Sequence, residues 1–207
     1  MIMGFKNILF DWSGVISNNV DDHVDHVSYL FENHGVKRIT KRELRAKWTQ
    51  PFMKFYNQYI PDWTLDEHKR EYAEASHLFQ TRRIYPGMHK LVLELIKEKK
   101  NLYVVSSDLK TPFYNELKRY KLENCFKKIM LESHDKIEDL LYLIKTEKLN
   151  KNETVFIGDT THETECAKKA GIKSIAVTWG MTSPSRLKNA DPDFVAKNVK
   201  ELRSILK

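Results

Sequence analysis

With 207 residues, 41% hydrophobic and 11% aromatic, the chain is too apolar to be disordered and long enough to bury a sizeable core in one domain carrying an insertion. Its formal charge of +7 is carried by lysines spread among glutamates, as in LVLELIKEKK and NELKRYKLEN, which argues for a solvated basic surface and against a nucleic-acid partner. No apolar stretch approaches the roughly 20 residues that span a bilayer. The opening MIMGFKNILFDW also lacks a secretory signal's long apolar region and cleavage site, so a cytoplasmic protein with no membrane partner is expected.

In chain order, the first element is a short apolar strand, Asn7 to Phe10, running directly into Asp11. A carboxylate at the carboxyl end of a buried strand, followed by a glycine turn, is poised to act as nucleophile or metal ligand. Residues 17–83 differ in character: polar-aromatic helical stretches, broken near Gly35, Pro51 and Pro61, with no convincing strand. Three or four inserted helices are expected there. Leu30, Phe31, Trp48, Phe52, Phe55, Tyr56 and Tyr59 recur at helical spacing and are assigned to the core of that small bundle.

From about residue 84, apolar runs alternate with helix-period segments, the pattern of a parallel sheet with crossover helices. The runs are 102–105, 129–131, 154–157 and 174–178, five strands with the first. Helices are expected over 89–99, 112–120, 137–149 and 163–170, with Gly171 as a left-handed stop and Pro86 in a helix's first turn. Right-handed crossovers bring all the strand ends to one side. Cys125 and Cys166 form no CxxC pair and no cluster with histidines at ligand spacing, so two small buried thiols are expected rather than a zinc or redox site.

Three later strands, like the first, lead to residues that chemistry can use. One runs into Ser106-Ser107-Asp108, another into Gly158-Asp159-Thr160-Thr161-His162-Glu163, and between them Lys136 opens a helix. Acids, a hydroxyl and a lysine at one sheet edge suit a magnesium and phosphate site. Thr160 and Glu163 also read as a capping box, a purely structural use of that glutamate. Ser106 or Ser107 has a structural alternative too, as a helix cap.

These four motifs in order, with the insertion after the first, resemble the haloacid dehalogenase-like hydrolases, in layout the phosphoglycolate phosphatase-like branch with a helical cap. The later stretches AKKAGIKSIAVTWG and ADPDFVAKNVKEL are similar to the same branch. The resemblance implies a Rossmann-like α/β core over 1–16 and 84–207 and a helical cap over 17–83. It also implies Mg2+ as cofactor, a small phosphorylated metabolite as substrate, and a monomer or homodimer. By the same resemblance Asp11 is the nucleophile, and Ser106, Ser107 and Lys136 contact the phosphoryl group. Asp11, the Ser13 carbonyl, Asp159 and Glu163 belong to the metal site.

In the phosphatases of this family the residue two after the nucleophile is an aspartate that protonates the leaving oxygen; here it is Ser13. General acid help is typically worth about 10²- to 10⁴-fold, so a slow enzyme, or one favouring good leaving groups, is expected. Asp108, His162, His23 and His26 are positional candidates for a replacement acid. Two alternatives are a carbon–phosphorus hydrolase, which Trp12 resembles and which would need a cap lysine such as Lys47 or Lys54, and a degenerate phosphate-binding module.

Overall fold

The computed structural model describes residues 4–79, 82–133 and 135–207. Six parallel strands, β1 (Asn7–Phe10), β4 (Asn101–Val105), β5 (Lys128–Met130), β6 (Thr154–Gly158), β7 (Lys173–Val177) and β8 (Phe194–Ala196), form one sheet in the order β5-β4-β1-β6-β7-β8. The four interior strands, β4, β1, β6 and β7, are apolar on both faces because both faces are covered. Ile8, Phe10, Leu102, Val104, Val155 and Ile157 face α5 (Met88–Lys97), α6 (Lys110–Tyr120) and α10 (Val199–Ile205). Leu9, Tyr103, Val105 and Phe156 face α7 (Lys136–Thr146) and α8 (Thr161–Ala170).

The sixth strand, β8, is a correction to the five expected. Phe194–Ala196 is an apolar run of only three residues after Asp-Pro-Asp, and as an edge strand it is only partly buried. It is fixed instead by Asp193, which accepts hydrogen bonds from the Ser174 amide (2.9 Å) and hydroxyl (3.1 Å). Pro86 also differs: α5 begins at Met88 with Gly87 at φ +87° as its N-cap, so Pro86 lies in the preceding turn. Gly171 does adopt the left-handed stop, at φ +72°.

The segment after β1 holds α1 (Val20–Asn33), α2 (Lys41–Lys47), α3 (Met53–Tyr56), α4 (Leu65–Ala75) and a 3-10 turn at Ser76–Leu78. They bury an apolar cluster of their own, which includes Leu30, Phe31, Trp48, Phe55 and Tyr56, with Phe52 and Tyr59 packed against it. Two strands of two residues, β2 (Ser17–Asn18) and β3 (Arg83–Ile84), pair antiparallel at the base of this insertion, where no strand was expected. The inserted helices meet the α/β body through Arg45, whose guanidinium donates to the carbonyls of Thr178 (2.8 Å) and Thr182 (3.2 Å), and through Arg186, which donates to the Trp48 carbonyl (2.6 Å).

Candidate active site

β1 lies between β4 and β6, so the chain leaves it toward one half of the sheet and later returns to build the other. A crevice opens at the carboxyl ends of strands where the order reverses in this way. Asp11, Ser106 and Asp159 follow the ends of these three strands and line one cavity of about 390 Å3, together with Ser13, Ser107 and Lys136.

Lys136 is 1% exposed and donates to Asp11 Oδ2 at 2.9 Å and to Glu163 Oε1 at 2.6 Å. Burial alone would lower its pKa, but the two carboxylates push it above the ordinary lysine value, so it is a fixed ammonium. Asp11 receives the Trp12 amide on Oδ1 (2.8 Å). Its burial outweighs the Lys136 charge, and its pKa rises to about 7. Asp159, buried and repelled by Asp11 and Glu163, is pushed well above the carboxylate range.

Carboxylate oxygens of Asp11, Asp159 and Glu163 lie within 4.8 Å of one another. Asp159 Oδ2 accepts the Met181 amide at 2.5 Å, whereas Asp159 Oδ1 is buried with no partner. A Cβ on Gly14 (φ +77°) or on Gly180 would collide with this carboxylate, so two glycines leave the room it occupies. An all-oxygen donor set around an orphaned buried oxygen fits a hard divalent cation. Glu163 is the least available of the three: Oε2 accepts the Thr160 amide (2.9 Å) and hydroxyl (2.5 Å) as a capping box, and Oε1 faces Lys136.

Ser13 is held on both sides. Its hydroxyl donates to Asp108 Oδ2 at 2.6 Å and accepts from Asn19 Nδ2 at 2.8 Å, while Asn19 Oδ1 takes the Gly14 amide at 3.2 Å. Asp108 Oδ2 also accepts from Ser106 Oγ (2.8 Å), and Asp108 Oδ1 from Arg82 (2.6 Å). Burial would raise Asp108, but Arg82 and the two hydroxyls bring it below its ordinary value. Ser107 points elsewhere, donating to the Ser133 carbonyl (2.7 Å), and neither serine caps α6, whose N-cap is Leu109.

None of the four candidate acids keeps a proton at neutral pH. Asp108 is ionised, as just described. Burial lowers His23 to about 3 and His26 to about 4, and it lowers His162 as well. Lys47 and Lys54 do not line the cavity: Lys47 pairs with Glu43 at 2.9 Å over the Tyr59 ring, and Lys54 is exposed. Trp12 is wholly buried against Phe113 and Phe126, its indole donating to Glu116 at 2.9 Å. It is an anchor of the core and not a wall of the cavity, and the lysine of the inserted helices that does line the cavity is Lys69.

Cysteine is a further correction. Cys166 Sγ sits 3.4 Å from His162 Nε2, one helical turn away, with the Asp135 carboxylate nearby. Sequence reasoning also missed Asn19 and Arg82. An asparagine before a helix signals a cap, yet Asn19 makes no cap hydrogen bond and braces the turn after Asp11 instead. Arg82 is one of 35 basic residues and carries no local signal.

Among the described residues no helix is long and apolar enough to cross a membrane. The family model described as haloacid dehalogenase-like hydrolase matches residues 8–177. The chain is similar to pyrophosphatase PpaX of Halalkalibacterium halodurans, 21% identical with 99% of this chain and 98% of the relative covered. It is also similar to a 5'-nucleotidase of Pseudomonas aeruginosa, 25% identical with 98% and 96% covered. Among solved structures, a haloacid dehalogenase-like family hydrolase from Streptococcus pneumoniae superposes with a TM-score of 0.82 at 20% identity, over 98% of this chain and 99% of that one. The arrangement of strand-end acids, hydroxyl and lysine and the match over most of the chain lead to one conclusion: the protein belongs to the haloacid dehalogenase-like hydrolase family.

Proposed function

We propose that this hydrolase is a magnesium-dependent phosphatase of small phosphorylated metabolites that works through an aspartyl phosphate on Asp11. The observation that carries this reading is the buried Asp11 carboxylate, paired with Lys136 at 2.9 Å and within 4.8 Å of the carboxylate of Asp159, whose Oδ1 has no partner, in a cavity that Ser106 also lines. Residues 17–83 act as a cap over a core formed by 1–16 and 84–207.

The Asp11 carboxylate attacks phosphorus, and the bond from phosphorus to the leaving oxygen breaks, that oxygen departing with the electron pair and taking a proton from solvent. Water then attacks the aspartyl phosphate, releasing inorganic phosphate and restoring Asp11, with a proton returned to solvent. Lys136, and Ser106 once its hydroxyl turns from Asp108 to the substrate, hold phosphoryl oxygens as charge shifts onto them. Asp11, the Ser13 carbonyl and Asp159 would hold Mg2+, which when bound neutralises the repulsion between an anionic nucleophile and an anionic ester. Glu163, engaged by the capping box, acts through Lys136, which it keeps charged and aimed at Asp11.

The carboxyl group at residue 13 that would protonate the leaving oxygen is replaced by a hydroxyl whose proton is committed to Asp108. Substrates whose leaving oxygen is stable without a proton are therefore favoured. The test is Asp11→Asn: turnover of an aryl phosphate in magnesium should be abolished, and unchanged turnover would exclude Asp11 as nucleophile.

A further inference from the structure

The cavity does not end at the phosphate-sized floor. Its upper part is walled by the inserted helices, with His23 from α1, Trp48 and Phe52 around the α2–α3 junction, Tyr56 from α3, and His68 and Tyr72 from α4. These rings pack edge-on and tilted around one another: His68 lies 4.1 Å from Tyr56 and 5.1 Å from Phe52, and His23 lies 4.7 Å from Trp48 between ring centroids. The wall is aromatic and closely packed, one side of the buried cluster of the insertion. Both ring nitrogens of His68, His23 Nε2, Trp48 Nε1 and Tyr56 Oη are buried without a hydrogen-bond partner. His68 is itself only 4% exposed. These atoms are shut in behind the rings, so a molecule in the cavity meets ring faces and edges and not these five atoms.

Charge is the other half of the observation. Arg82 reaches this space but is already matched by Asp108 at 2.6 Å, which leaves Lys69, exposed at the rim, as the unmatched cation among the residues lining the upper cavity. A leaving group that is itself a phosphate or a carboxylate would meet that one solvated lysine at the rim and otherwise aromatic rings. A volume of about 390 Å3 lies near the low end of the roughly 300–1,000 Å3 usual for small-molecule sites, enough for a phosphoryl group and one or two rings.

We infer that the upper cavity is a binding subsite for an uncharged aromatic leaving group, so that the substrates are phosphate esters of aromatic or heteroaromatic rings. This rests on the phosphatase reading for the ester and on the ring-lined wall for the group it carries. The ring lies against the wall that Phe52, Tyr56, His68 and Tyr72 present to the cavity.

The test compares 4-nitrophenyl phosphate, acetyl phosphate and pyrophosphate in magnesium. Acetyl phosphate has the better leaving group but no ring, so chemistry alone favours it and ring recognition does not. KM for the aryl ester should lie at least tenfold below the other two. His68→Leu and Tyr72→Leu should each shrink the aryl-to-acetyl ratio of kcat/KM about tenfold, a ratio taken within one preparation and therefore insensitive to partial misfolding. Acetyl phosphate or pyrophosphate bound as well as the aryl ester, or a ratio that survives both substitutions, would overturn the subsite while leaving the phosphatase standing. If no ester is cleaved, calorimetry on Asp11→Asn with phenylphosphonate and inorganic phosphate still decides: tenfold tighter phenylphosphonate supports the subsite, and equal affinity refutes it.

Discussion

Ser13→Asp restores a carboxyl where the hydroxyl now stands, and the surroundings determine what that carboxyl does. Ser13 Oγ is 2.6 Å from Asp108 Oδ2, and Asp108 is held ionised by Arg82. Two carboxylates about 3 Å apart repel by roughly 5 kcal/mol at an effective dielectric of about 20. At about 1.4 kcal/mol per pKa unit, even half of that lifts the introduced group from about 4 to near 6, so it enters the neutral range able to donate a proton. Benzyl phosphate and 4-nitrophenyl phosphate are the substrates of choice, because both carry a ring and they differ chiefly in how well the leaving oxygen bears charge. Turnover of the benzyl ester should rise about 10²- to 10⁴-fold, with a new fall in rate above the introduced pKa, while the nitrophenyl ester gains little. Equal gains on both esters, or none on either, would refute the claim that residue 13 lacks a proton donor.

Lys136→Met leaves Asp11 and Glu163 buried without their cation, and a loss of about 3–5 kcal/mol in urea unfolding is expected; a loss below about 1 would show that the ammonium is not holding the acids. Mg2+ at a hundredfold excess over its dissociation constant should stabilise the protein by about 2.7 kcal/mol, read as a rise in Tm that Asp159→Asn removes; an equal rise in the variant would move the cation elsewhere. His23, His26 and His68, with burial holding them at about 3, 4 and 4, should show no NMR titration between pH 7.5 and 5, and a transition near 6.5 would contradict their burial. Because these folded values lie below the ordinary 6.5, their stability contribution is full above about pH 6.5 and falls by up to about 1.4 kcal/mol per pH unit for each as the pH drops toward 4. Asp11, raised to about 7, works in the opposite direction over that range, so the slope is best measured in saturating magnesium.

The parallel sheet was legible because each interior strand is a run of apolar residues ending in a polar one, so Phe10-Asp11 and Val105-Ser106 announce both the strand and the edge where it stops. β2 and β3 escaped because two residues fit no periodic window, and β8 because its partly exposed residues follow a proline. In the inserted helices the spacing of Trp48, Phe52 and Tyr56 correctly assigned them to a core. It did not reveal that each also borders the cavity, since periodicity reports which face is buried and not what the face is buried against. Arg82 and Asn19 were invisible for a related reason: each acquires its role from a partner brought near by the fold, Asp108 in one case and Ser13 in the other.

The short ribbon at the base of the insertion pairs Ser17 with Ile84 and Asn18 with Arg83, so the chain leaves the α/β body and comes back to it through neighbouring residues. Paired residues of an antiparallel ribbon stand about 5 Å apart, and a segment whose two ends meet at that spacing can be exchanged for another without moving the strand that precedes it. Residues 20–81 are in this sense a cassette. A relative's insertion grafted between Asn19 and Arg82 would bring a different wall to the same Asp11 and keep the two residues that brace Ser13 and Asp108, leaving the chemistry of the floor and the choice of what reaches it separately heritable.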